Sequence, residues 1–181
     1  MENVTTRNGL DSTLGEGSRD FSHRDLDCGI FGGADLRRAN FNQARMQGAE
    51  LSGARLQAAS LSYAQLQGAI LMGANLQKAN LSWAELQGAY FGFTDPDVDT
   101  DIRAFLGPAQ LQGAILRSTM LWAADLTHAQ LQGADLVLAE LPGASLRGAQ
   151  LQGAELLAAK LQGADLSSAA SSRSEQQLVS C

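Results

Sequence analysis

Alanine stands at every fifth position from Ala34 to Ala89, and again from Ala109 to Ala169 with Thr119 as one substitution. Leu, Phe or Met stands two residues after each as far as Leu166. A period of five fits neither regular element. On an α-helix, at about 100° per residue, a five-residue step turns each leucine by about 140°; on a strand an odd step flips it to the other face. The chain is therefore a repeat array in which each pentapeptide forms one side of a coil. Four sides close a square coil of about twenty residues, and successive coils stack at about 4.8 Å. The Leu and the Ala two before it point inward, and the other three residues point outward. The frequent Gly two residues after the Leu suits corners that require positive φ.

Segments such as Gly33-Ala34-Asp35-Leu36, Gly73-Ala74-Asn75-Leu76-Gln77 and Gly163-Ala164-Asp165-Leu166 carry an A(D/N)LXX signature and resemble the pentapeptide-repeat family. The resemblance covers most of the chain. It implies an all-β solenoid, a right-handed quadrilateral β-helix. It implies much less about activity, because one fold hosts many functions.

A chain of 181 residues has room for one domain, and a repeat rod needs only neighbour-to-neighbour burial. The expected division is an N-terminal flexible segment, 1–20, a β-helix over 21–168, and a flexible C-terminal tail, 169–181. Residues 1–20 hold only scattered apolar side chains and read as no signal peptide; no run of some 18 apolar residues predicts a membrane span. The expected setting is cytoplasmic. Cys28 and Cys181 are too far apart in sequence for a disulfide framework or a zinc site and read as free thiols.

The frame fails between Phe93 and Ala109. Gln follows the inward residue at Gln47, Gln57, Gln67, Gln77 and Gln87, then at Gln112, Gln132, Gln152 and Gln162, a slip of five. Looping out Thr94 to Pro108 restores continuous glutamine columns and places Gln77 beside Gln112. It gives a rod of about seven coils, roughly 30 Å long at the strand spacing. Within the insertion, Asp95-Pro96-Asp97 favours a turn, and a short helix near Asp101 to Leu106 places Ile102, Phe105 and Leu106 on one face. That face would cover Ile70, Met72, Tyr90 and Phe93. The insertion reads either as a loop that caps its own patch or as a prong for a partner, with Asp95, Asp97, Asp99, Asp101, Ile102 and Phe105 as its contact residues.

Catalysis needs converging acids, bases, nucleophiles or metal ligands in a pocket. A dry Leu and Ala interior offers none, and His23 and His128 fall at separate outward positions. The Asp95 to Asp101 run lacks the Gly and Glu of a calcium loop, having Thr100 and Leu106 at those places. No enzyme activity, metal or cofactor is expected. The outward candidates are apolar: Tyr63 and Trp83 share a column on the same side as Leu138, and Val137 and Leu157 fill the neighbouring column. Such a stripe marks a protein interface, or shields a sheet face without any partner.

Quinolone-resistance members of the family act as DNA mimics that occupy type II topoisomerases, and the net charge of −6 invites that comparison. The charge is in the wrong place. Residues 31–91 carry three acids and five bases and residues 109–170 the reverse, while residues 1–30 and the insertion hold −3 each. A DNA-like rod of this length would carry roughly 18 negative charges. Arg37, Arg38, Arg55 and Lys78 form a basic stripe, too sparse for direct nucleic-acid binding. The end of the chain also lacks the hydrophobic helix through which those relatives dimerise. The expected function is a non-catalytic scaffold rod that binds a protein; the alternative is a topoisomerase inhibitor or protector. Unpaired strand edges at both ends of the array favour end-to-end homo-oligomers.

Overall fold

The computed structural model describes residues 19–93 and 102–171, apart from the side chains of Phe93 and Ile102. Most of its pairing consists of single parallel bridges between residues twenty apart: Asp20 with Asn40, Asp25 with Arg45, Ile30 with Glu50, Asp35 with Arg55, and onward to Gln150 with Ala170. Each bridge holds one side of a coil against the same side of the next. Glu50 shows the unit, donating its N–H to the Gly29 carbonyl of the coil before at 2.8 Å, while Leu51 and Gly53 donate to Ile70 and Met72 of the coil after at 2.7 and 2.8 Å. The corner closes when the Ala54 N–H returns to the Leu51 carbonyl at 3.0 Å. The third residue of that turn, Gly53, has a φ of 64°, as a type II turn requires. Later and earlier corners repeat this at the same place in the frame, with Tyr63, Trp83, His128 and Leu138 among the non-glycine residues at positive φ.

The interior follows from the frame. The inward leucines from Leu36 to Leu151 and the inward alanines from Ala39 to Ala149 are almost wholly excluded from solvent, Leu76 and Leu131 included. Phenylalanines take over at the N-terminal end, where the Phe21 and Phe41 rings stack at 4.8 Å and Phe31 meets Phe41 edge-on at 6.4 Å. Gly29 replaces the usual alanine there, and a Cβ on it would lie 2.5 Å from the Phe31 ring. The buried Thr119, the one polar substitution in the alanine series, is satisfied by donating to the Leu116 carbonyl at 2.7 Å. The pairing takes in Asp20 at one end and Ala170 at the other, so Ala169 and Ala170 belong to the rod.

The insertion is shorter than the expected fifteen residues. Strand β1 (Tyr90–Phe93) pairs antiparallel with β2 (Ile102–Arg103), joining Gly92 to Arg103 and Phe93 to Ile102. On its other edge β1 runs parallel to β3 (Met120–Leu121), with Tyr90 opposite Met120. Asn75 bridges Phe105 and Asn80 bridges Gln110, thirty residues apart where other coils step by twenty. Ten positions, 94–103, are therefore extra to the frame, and Ala104 to Pro108 form a side of it whose corner carries a cis Gly107–Pro108 bond in place of a positive-φ residue. Ala104 and Leu106 point inward with no exposure. The expected helix over Asp101 to Leu106 is replaced by β2 and this pentapeptide; the helix would have forfeited both the burial of Leu106 and the bond from the Leu76 N–H to the Phe105 carbonyl, 2.7 Å. Gln112 consequently pairs across to Ser82, not to Gln77. The glutamine column was a poor guide because an outward amide can be satisfied on any side, whereas an inward Leu has only one place to go.

Leu106→Ala separates the two registers. It should cost about 2–5 kcal/mol in denaturant unfolding, like any core leucine, where a looped-out Leu106 would cost almost nothing. Leu76→Asp should be more damaging still, since it places an unpaired carboxylate in the dry interior. Deleting residues 94–103 should leave a protein with nearly the parent melting temperature, and deleting 94–108 should lower it clearly because a whole side is lost.

Candidate functional site

The four sides carry different chemistry. The first, built on Phe41, Leu61, Leu81, Leu111 and Leu131, presents amides and hydroxyls. Ser60 donates to Asn42 at 2.6 Å, Ser82 to Gln112 at 3.1 Å, and the Gln112 and Gln132 amides donate to Gln130 and Gln150. At the corner leading to the second side stand Tyr63 and Trp83, 57% and 56% exposed. Two coils share the Trp83 ring: it lies across Gly113 of the next coil, where a Cβ would come within 2.5 Å of ring carbons. Their φ values of 59° and 62° place two large rings where glycine is the undemanding choice.

The second side, built on Leu26, Met46, Leu66, Leu86, Leu116 and Leu136, is stapled by ions. Arg45 bonds Asp25 at 3.0 Å and also Asp27, and Arg117 bonds Asp135 and approaches Glu155 at 3.8 Å. Exposed pairs of this kind contribute about 0–1 kcal/mol each, so they mark register more than they stabilise. Leu138 and Leu157 are exposed here at 56% and 63%, whereas Val137 is buried at 8%. The shorter insertion changes the expected stripe. Leu138 does not share the side of Tyr63 and Trp83: Tyr63 and Trp83 edge the second side where the chain enters it, and Leu138 edges it where the chain leaves, on later coils. Val137 offers little surface to a partner.

Around β1 the third side is apolar, with Ile70, Met72, Met120 and Trp122 half-buried and Tyr90 exposed. Beside it the Trp122 indole N–H donates to Glu140 at 2.9 Å and Lys160 donates to the same carboxylate at 2.6 Å. The Lys160 bond, then the Trp122 bond, holds the Glu140 carboxyl below its usual range. The fourth side is basic, with Arg37, Arg38, Arg55 and Lys78. Asp35 lies among them, bonded by Arg37 at 2.7 and 2.5 Å and 4.0 Å from Arg55. The Arg37 bond holds the Asp35 carboxyl far below the carboxylate norm.

Of the insertion contacts, Asp95, Asp97, Asp99 and Asp101 lie outside the described residues. Ile102 belongs to β2, and Phe105 sits half-buried on the rod with the Arg103 guanidinium 5.8 Å from its ring centre. His23 and His128 occupy exposed corners of different coils, and no group of potential metal ligands occurs among the described residues. Cys28 is exposed and free. Sequence reasoning missed the side at Ala104 to Pro108, although Ala104 followed by Leu106 fits the inward spacing. It also missed the Trp122, Glu140 and Lys160 trio, whose members become neighbours only through stacking.

The family model for pentapeptide repeats matches in eight copies, over residues 20–53, 54–92, 109–141 and 139–167. It too leaves out the side at Ala104 to Pro108. Among solved structures, the chain is 31% identical to HetL, a pentapeptide repeat protein involved in heterocyst differentiation regulation in the cyanobacterium Nostoc sp. strain PCC 7120, covering 83% of this chain and 86% of that one with a TM-score of 0.32. It is 26% identical to a pentapeptide repeat protein of the Arabidopsis thaliana thylakoid lumen, covering 72% and 73% with a TM-score of 0.33. Identity to QnrB1, a plasmid-mediated fluoroquinolone resistance protein, is 18% over 88% and 93% of the two chains, with a TM-score of 0.35. No curated protein matches the sequence. Among the described residues no helix is long and apolar enough to cross a membrane.

Two measurements follow from this geometry. Gly113→Ala should displace the Trp83 ring and shift its fluorescence, because a side chain at a φ of 64° would also occupy the ring's place. Glu140 should titrate below the ordinary glutamate range in the folded protein, through its bonds from Lys160 and then Trp122. Its bonds therefore favour folding above the unfolded value and lose that contribution as pH falls through the folded one. Trp122 fluorescence in a Trp83→Phe background should report this midpoint, and Glu140→Gln should abolish the titration.

Proposed function

The chain belongs to the pentapeptide repeat family, and on that premise we propose that it is a non-catalytic rod of about seven coils that binds a protein partner along its second side. The observation that carries this reading is the Tyr63 and Trp83 pair, two large rings left more than half exposed at corner positions where other coils place glycine. Aromatic anchors of this kind supply much of the binding energy of protein interfaces. Leu138 and Leu157 add exposed apolar groups to the second side on later coils, away from the Tyr63 and Trp83 corner, and the insertion residues Asp95, Asp97, Asp99, Asp101, Ile102 and Phe105 are a second candidate contact. The dry Leu and Ala interior supports a role without catalysis, and the exposed Cys28 thiol suits a reducing, cytoplasmic setting.

A DNA-mimic inhibitor or protector of a type II topoisomerase is the second reading, suggested by the family and by the acidic total charge. Neutrality of the repeat region and the basic fourth side weigh against it. At the C-terminal end Leu161 and Leu166 are only half-buried, which supports end-to-end self-association.

Tyr63→Ala combined with Trp83→Ala should abolish capture of the partner identified by affinity purification while leaving the melting temperature within a few degrees of the parent. Unchanged capture would remove this corner as the interface. In a gyrase supercoiling assay the purified rod should leave the rate unchanged; inhibition would favour the second reading.

A further inference from the structure

Three guanidinium groups meet where the first coil ends on the fourth side. They line a cavity of about 450 Å³ together with Gln57 and Ala58: Arg19, Arg37 and Arg38. The strand ladder explains their assembly. Within the rod, a carbonyl on this side accepts an N–H from the coil before, as Arg55 accepts from Leu36 at 2.9 Å and Gln57 from Arg38 at 3.0 Å. At the first coil's own edge, Arg19 supplies the donor instead, its Nη1 bonding the Arg37 and Asp35 carbonyls at 2.7 and 3.4 Å. Arg37 is clamped by the Asp35 carboxylate through two bonds. Arg38 is different: among the described residues no carboxylate pairs with it, and its corner φ of 59° fixes where its side chain starts. Gln57 adds a side-chain amide, whose N–H group is the part that can donate to an anion.

We propose that this cavity binds the phosphate group of a small soluble molecule, as inorganic phosphate or a phosphate monoester. Arginine carries a planar set of donors that suits phosphate oxygens; bonds to the rod through Arg19 Nη1 and through Arg37 Nε and Nη2 hold two of the three in place, leaving Arg19 Nη2, Arg37 Nη1 and the whole fork of Arg38 for an anion. Asp35 neutralises one of the three charges, so the site keeps an excess of positive charge on a chain whose total is −6. Its volume lies in the range of small-molecule pockets.

The test is a titration of the full-length protein with inorganic phosphate, followed by NMR of the arginine side-chain N–H groups and the Gln57 amide. Saturable shifts at Arg19, Arg37, Arg38 and Gln57 in the millimolar range are expected. Arg38→Ala should weaken binding about tenfold or more, the loss of one charged donor. That variant keeps its corner, because Ala58 holds the same conformation one coil away at a φ of 57°. Lys78→Ala, in the same corner column but outside the cavity, should leave the affinity unchanged. Equal weakening by both variants, or shifts spread evenly over Arg55, Arg117 and Arg147, would show general charge attraction and overturn the site. So would the absence of saturation. A parallel sedimentation with vesicles containing phosphatidic acid distinguishes the source: vesicle binding that inorganic phosphate does not compete away would overturn a site for a soluble phosphate.

Discussion

Everything in this molecule depends on the hydrogen-bond ladder that ties each side of a coil to the same side of the next. The ladder demands that chain length between equivalent points be constant, and the stacked inward Leu and Ala columns enforce it, because any side out of step would leave an inward methyl group without a neighbour. The insertion shows how strong the demand is. Ten extra residues, 94–103, are accommodated after β1 with β2 among them, and the frame returns at once with Ala104 and Leu106 in the core. Burying a leucine contributes about 1.5–3 kcal/mol, more than the exposed amide and ion pairs of the outer faces provide.

The ladder also decides where the molecule can vary. Three positions in each pentapeptide face outward, and the last of them sits at the corner, with positive φ at every described corner but Pro108. Glycine meets that requirement with least strain, yet Arg38, Tyr63, Trp83, His128 and Leu138 hold it too. The rod thus displays selected side chains at fixed intervals, and each side becomes a separate chemical surface: amides on the first, ion pairs on the second, an apolar field near β1 on the third, arginines on the fourth. Recognition by such a body rests on which side chains the corners and sides present, since the interior is hidden from any partner.

The ends of the described rod obey different rules, because among the described residues the ladder there continues on one side only. At the N-terminal end, Arg19 provides donors for the Asp35 and Arg37 carbonyls, and phenylalanine rings fill the first coils. Capping and charge are thereby combined in one side chain, which is how the edge of a neutral array comes to hold a cluster of guanidinium groups. The last described coil has half-buried leucines instead.

The five-residue period alone determined the four-sided coil, the inward Leu and Ala columns and the positive-φ corners, because no regular helix or strand can bury such a pattern. It also revealed that the repeat is interrupted after Phe93. What the period could not supply was the length of the interruption, since Gln112 satisfies its amide beside Ser82 and Gln130 while the exposed Gln77 faces solvent, and the choice between fifteen and ten extra residues rests on whether Leu106 is buried. Only the tertiary structure decided that, and with it the side on which every later residue falls. Trp83 over Gly113, Leu138 apart from Tyr63, and the Trp122, Glu140 and Lys160 trio all depend on it. The arginine cavity needed the folded chain for another reason: the donors meet there because Arg19 turns to bond edge carbonyls, a contact that no spacing in the sequence expresses.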